Sequence, residues 1–154
     1  MAPDEGAALK LRAEDAEDLA VISACLQDAL VAVSDLAYAP EERSFLFVAN
    51  RFRWENGLRP APGEAPFERV LCGITFSEVA AVSYSGFRRT DDSRILSLLA
   101  IRREDGSVHL EFSGGAAIRL EVARILCHAR DLGEPWPTPW HRRPTAAGAS
   151  SPAK

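Results

Sequence analysis

The stretch Ile95 to Leu120, ILSLLAIRREDGSVHLEFSGGAAIRL, constrains the fold more than any other part of the chain. ILSLLAIRR is apolar on both faces, as a strand inside a sheet must be. Asp105-Gly106 is a dipeptide that favours a tight hairpin, and in VHLEF the residues Val108, Leu110 and Phe112 alternate with His109 and Glu111. Gly114-Gly115 then turns the chain into AAIRL. Period-two alternation broken by glycine turns predicts a three-strand antiparallel meander, and its apolar face must be covered by other elements.

Upstream, LKL at Leu9 to Leu11 is read as an edge strand, and Glu14 to Leu30 as a helix. Asp15 stands at its cap with Asp18 three residues on, and Glu14, Asp15, Glu17 and Asp18 suit the positive end of the helix dipole. Leu19, Ile22, Leu26 and Ala29 form one apolar stripe. DLAYA and FLFVANRFRWE, joined by the turn at Pro40-Glu41-Glu42, are read as a hairpin, and FERVLCGITF and EVAAVSYSGF as two further strands or one long bent one. RRTDDSR is a solvated loop. Near the end, Val122, Ile125, Leu126, Ala129 and Leu132 recur at helical spacing. Gly133 and Pro135 follow as a stop, which predicts a helix over Glu121 to Leu132.

One helix, six or seven strands in short-range meanders and a terminal helix make an α+β domain. The expected architecture is a curled antiparallel sheet with an N-terminal helix and a C-terminal capping helix. That order of elements resembles the pleckstrin-homology-like (PH-like) barrel, a likeness of topology that carries no ligand with it. The expected boundaries are a flexible N-terminus over 1–8, a single domain over 9–140 and a disordered tail over 141–154. Within the domain, 55–66 is a Pro/Gly-rich loop, ENGLRPAPGEAP, which neither ladder nor helix tolerates.

A chain of 154 residues, 47% hydrophobic and 26% charged, is long enough to bury a self-standing core. Its longest apolar runs fall far short of a membrane span. The first residues carry acids and no apolar core of a signal peptide, so a cytoplasmic location is expected, with Cys25, Cys72 and Cys127 as reduced, packed thiols. A net charge of -4 argues against broad attraction to nucleic acid or anionic lipid.

No pattern of catalytic residues stands out. Gly114-Gly115 lacks the spacing and the lysine of a phosphate-binding loop. Cys127-His128 would point about 100° apart on a helix, which does not make a zinc site. His109, His128 and His141 have no nucleophile placed beside them by sequence. The expectation is no catalytic residue, no cofactor and no metal.

Two stretches carry the candidate contacts. In FLFVANRFRWE, period-two alternation puts Leu46, Val48, Phe52 and Trp54 on one face and Phe47, Ala49, Arg51 and Arg53 on the other. A base-stacking platform displays aromatics and cations together, so the alternation favours a core strand with Arg51 and Arg53 as a small basic surface. In PWPTPW, followed by HRR, prolines hold the chain extended and Trp136 and Trp140 lie outside regular structure. They either fold back on the domain or are offered to a partner.

DLAVISACLQDAL, DLAYAPEERSFLFVANRFRWE, LSLLAI and GGAAIRLEV together resemble a family of small bacterial proteins, the domain of unknown function 2948, over roughly residues 9 to 140. LQDA, RFRWE and GGAAIRLEV carry most of the likeness; the Pro/Gly-rich insertion after Trp54 departs from it. The resemblance implies a bacterial, cytoplasmic, single-domain protein and supplies no catalytic residues. The leading expectation is a non-enzymatic protein-binding or adaptor domain, acting on a protein partner or a second copy through a sheet face or edge and the Trp-bearing segment. The alternatives are an RNA- or DNA-binding domain using Arg43, Arg51 and Arg53, and a small-ligand enzyme with no recognisable motif.

Overall fold

A computed structural model describes residues 8–53 and 67–138. The expected loop at 55–66, the tail at 141–154, nearly all of the N-terminal segment 1–8, and Trp54 and Trp140 lie outside the described residues. In chain order the elements are β1 (Lys10–Ala13), α1 (Ala16–Cys25), β2 (Leu30–Ala32), β3 (Ala37–Ala39) and β4 (Ser44–Phe52). They continue with β5 (Phe67–Phe76), β6 (Val79–Ser85), β7 (Ile95–Glu104), β8 (Ser107–Phe112), β9 (Ala117–Val122) and β10 (Cys127–Thr138).

These strands form one ten-stranded antiparallel sheet in the order β1-β10-β5-β4-β2-β7-β8-β9-β6, with β3 paired to β4 off that path. The expectation of an α+β domain with six or seven strands, two helices and a PH-like barrel is therefore corrected. Ten strands and one α-helix are present among the described residues, and β1 and β6 are separate ends of a sheet that does not close. No helix among the described residues is long and apolar enough to cross a membrane.

The meander stands where the sequence places it. β7, β8 and β9 pair in succession, with Glu104 opposite Ser107 across the Asp105-Gly106 turn. Val108, Leu110 and Phe112 are buried, as alternation requires. β7 is shared between two neighbours: Ile95 to Ser97 pair with β2 on one edge, and Leu98 onward with β8 on the other. β2 is too short to cover the rest of its edge of β7. The end of α1 and the turn after it do so instead, through Leu98 N to Ala29 O, Asp28 N to Leu98 O (both 2.8 Å) and Ile101 N to Ser23 Oγ (2.9 Å). An unpaired edge is thereby satisfied.

Helix α1 is capped as expected, the Asp15 side chain accepting from Asp18 N at 2.8 Å. It ends at Cys25, five residues before the expected end at Leu30, yet Leu19, Ile22, Leu26 and Ala29 are all buried. They join one core inside the curl of the sheet with Phe45 and Phe47 of β4, Ile74 and Phe76 of β5, and Leu110 and Ile118 of the meander.

The predicted C-terminal helix is strand β10 instead. VARILCHARDL satisfies both periods: Ile125, Cys127, Ala129 and Asp131 alternate as buried residues with the exposed His128 and Arg130. Local pattern cannot separate the two conformations here, and pairing decides, because β10 fills the gap between β1 and β5 and satisfies both edges. Gly133 is not a helix stop. Its φ of 73° sits where the β10–β5 register shifts between Leu132 and Trp136.

Gly86 shows why a glycine is required at one turn. Its φ is +81°, and a Cβ there would lie 2.3 Å from Gly115 O and 2.8 Å from Ala116 Cα. Backbone cannot yield as a flexible side chain can. Gly86→Ala is therefore expected to cost about 2–3 kcal/mol of stability, read as a lower urea midpoint at unchanged slope.

Candidate functional site

The strand that carries Arg51 faces the opposite way from the sequence expectation. Phe45, Phe47, Ala49 and Arg51 point into the core, while Leu46 is 38% exposed on the outer face. Burying a phenylalanine is worth about 1.5–3 kcal/mol, so Phe45 and Phe47 set the face, and a period of two obliges Arg51 to follow them inward.

Arg51 is 0% exposed, and its charge is answered by Asp131. Its Nε donates to Asp131 Oδ1 at 2.9 Å and its Nη2 to Oδ2 at 2.8 Å, a two-point pairing that a planar guanidinium makes with a carboxylate. Nη1 donates to Phe52 O at 3.0 Å, and Asp131 Oδ2 also accepts from Leu9 N at 2.8 Å. Register explains the reach: Ala49, Cys72 and Asp131 form one row across β4, β5 and β10, with Arg51 opposite Val70 one core-facing position along. The pair spans β5 and joins three non-adjacent parts of the chain.

Arg53 is also buried, paired with Glu68 and holding Glu68 O through its backbone N at 2.9 Å. Arg43 is exposed in the β3–β4 turn, at φ 55°. Eight residues of extended chain separate it from Arg51, about 27 Å. The arginines expected to form a basic surface are thus not brought together, and two of the three are inside. Trp136 does not lie outside regular structure, since its backbone pairs with Arg69 as part of β10.

Arg69, which the sequence reading passed over, lies on the outer face. Its guanidinium stacks 3.9 Å above the centre of the Phe52 ring and its Nε donates to Asn50 Oδ1 at 2.6 Å. Burial lowers its pKa to about 10, against the opposing attraction of Asp28, so it stays charged at neutral pH. A charged residue directly opposite an aromatic in a hairpin-like pair is the signal that could have found it, had the β4–β5 register been known.

The outer face also carries a row that register defines completely: Ser97, Leu30, Asn50, Leu71 and Leu132, across β7, β2, β4, β5 and β10. Leu30 is 39% exposed, Leu71 40% and Ile95 55%. Leu46 and the half-buried Val48 continue the apolar surface along β4. Isolated exposed leucines are ordinary; here several share one sheet face.

The core face offers no reactive thiol. Burial pushes Cys72 up to about 12, with Asp131 adding to the rise and Arg51 opposing it, and burial together with Cys72 does the same to Cys127. Cys127 stands opposite Phe76, four positions along β5 from Cys72, about 13 Å, which is beyond disulfide reach. Among the described residues no three His, Cys, Asp or Glu side chains gather as a metal-binding group.

Asp131→Ala strands a buried guanidinium and is expected to cost about 3–5 kcal/mol in chemical denaturation, whereas Arg51→Met with Asp131→Leu together should cost far less than the sum of the single changes. The thiols give a pH signature. Both take up more protons folded than unfolded above pH 9.0, so their contribution is whole below that value and is lost as pH rises toward about 12. Between 9 and 10, where Arg69 responds alike in both chains, thermal stability should fall more steeply in the native chain than in a Cys72→Ala/Cys127→Ala variant.

No curated protein and no solved structure matches the chain. Over residues 9–145 it matches the family model described as protein of unknown function (DUF2948), and the chain belongs to that family.

Proposed function

We propose that this chain is a non-enzymatic protein-binding module which receives its partner on the outer face of β7, β2, β4, β5 and β10. One observation carries the reading: Leu30, Leu46, Leu71 and Ile95 are all exposed on one face of a sheet whose opposite face already holds the core. A sheet face in water is normally polar; one that keeps large aliphatic side chains exposed gains free energy when another surface covers it. Ser97 and Arg130 stand at the two ends of the surface, and Asn50, between Leu30 and Leu71, is held by Arg69.

A cytoplasmic setting suits this reading. Cys72 and Cys127 are thiols that the fold holds apart, as a reducing compartment allows.

Leu30→Glu with Leu71→Glu tests the proposal. Both side chains are exposed, so each change should alter stability by no more than about 0.5 kcal/mol. Affinity capture of the tagged chain from its native cell, after nuclease treatment, should recover a protein in defined proportion that the double variant no longer recovers. If the bound partner is a second copy, the variant should run as a monomer in light scattering where the native chain does not. Identical capture and identical mass for the two chains would sink the reading.

A further inference from the structure

The outer face of β1 and β10 gathers the basic side chains Lys10, Arg12, His128 and Arg130, of which Arg12 alone meets an acid among the described residues. Register sets Lys10 directly opposite Arg130 and Arg12 directly opposite His128. The Cβ atoms of residues so placed stand about 4.5–5.5 Å apart, and like charges directly opposite each other destabilise the pairing. Arg12 is held by Glu14 at 2.7 Å. Lys10, His128 and Arg130 are exposed, and among the described residues none of their side chains makes a hydrogen bond or an ion pair. In a chain of net charge -4 this is a local concentration and not a general basicity.

One strand inward, Gly73 lies opposite Arg130 and Thr75 opposite His128. Gly73 has no side chain to fill the space beside it, and Leu132 leans over it so closely that a Cβ would meet Leu132 Cδ1 at 3.3 Å. The result is an open groove of about 370 Å³ lined by Gly73 and Thr75 of β5, Arg130 and Leu132 of β10 and Lys10 of β1. Leu132 is also the end of the apolar row through Leu71 and Leu30, so the groove runs out onto the band described above.

We propose that this groove takes an acidic, extended segment of a protein partner, its carboxylates meeting Lys10 and Arg130 and its apolar side chains lying on Leu132 and Leu71. The inference rests on the reading of the outer face as a protein-binding surface and adds the chemistry of what binds there. Three observations select this occupant. Two uncompensated cations placed directly opposite each other call for negative charge, and binding it relieves the repulsion between them. The groove is open along its length and continues into an aliphatic shelf, which fits a chain of mixed acidic and apolar residues better than a small free anion. Nucleic acid would call for aromatic rings displayed beside the cations, and the rings nearest in register, Phe45, Phe47 and Phe76, are buried on the opposite face.

The test is selection from a displayed library of random peptides on the full chain, repeated on a Lys10→Glu/Arg130→Glu variant and on Leu71→Glu. The native chain should enrich peptides rich in Asp and Glu interspersed with aliphatic residues. Binding of a selected peptide should weaken with rising salt and be at least about tenfold weaker to the charge-reversed variant. Peptides without acidic bias, or equal binding to the charge-reversed variant, would overturn the inference. If such unbiased peptides are still lost on Leu71→Glu, the protein-binding reading survives without it. Failure to enrich any peptide, with a single-stranded oligonucleotide bound at Lys10 and Arg130 instead, would remove both. Lys10→Gln/Arg130→Gln, which places no new charges side by side, serves as the second variant should the reversed one fold poorly.

Discussion

The buried pair of Arg51 and Asp131 is the interaction on which the rest of this architecture depends. Two charges taken out of water cost several kcal/mol each unless their hydrogen-bonding capacity is met, and here it is met on both sides. Asp131 accepts from Nε and Nη2 of Arg51 and from Leu9 N, while Leu9 O accepts from Asp131 N at 3.0 Å. One carboxylate therefore fixes where β1 begins, holds β10 in register and fastens β4 across the width of β5. Apolar packing alone would tolerate several registers of those strands. A charge that must find its single partner does not.

Much of the fold is legible in the sequence where neighbours in the chain are also neighbours in space. The β7–β8–β9 meander, the β3–β4 hairpin and the Asp15 cap are local events, and alternation, turn residues and capping chemistry identify each of them. Two of the misreadings concern segments whose conformation is settled at a distance. VARILCHARDL fits a helix and a strand equally, and only the vacant edges of β1 and β5 choose between them. FLFVANRFRWE offers two plausible faces. The face with Arg51 appears the worse one to bury until Asp131, 80 residues away, is placed beside it.

The candidate site was less visible for the same reason. Arg51 and Arg53 attract attention in the sequence as free cations, yet Asp131 and Glu68 neutralise them. Lys10, His128 and Arg130 are scattered singly among other residues and become a cluster only when β1 and β10 lie side by side. The apolar band likewise draws on five strands, one residue from most of them. No window of the chain contains it, and the half-buried or exposed leucines concerned look in sequence like ordinary core residues.

The pairing of β1 with β10 also has a consequence in time. Leu9 and Asp131 are 122 residues apart, so the contact between them closes nearly the whole described chain into a loop. Closing so long a loop carries an entropic cost that the two-residue turn between β7 and β8 does not, and ladders of this separation form slowly relative to local ones. While the chain is being synthesised, β1 and β5 have complete sequences and no β10 between them. Their edges stay open to other strands until the final third of the chain arrives, and the charge on Arg51 has no interior to enter until then.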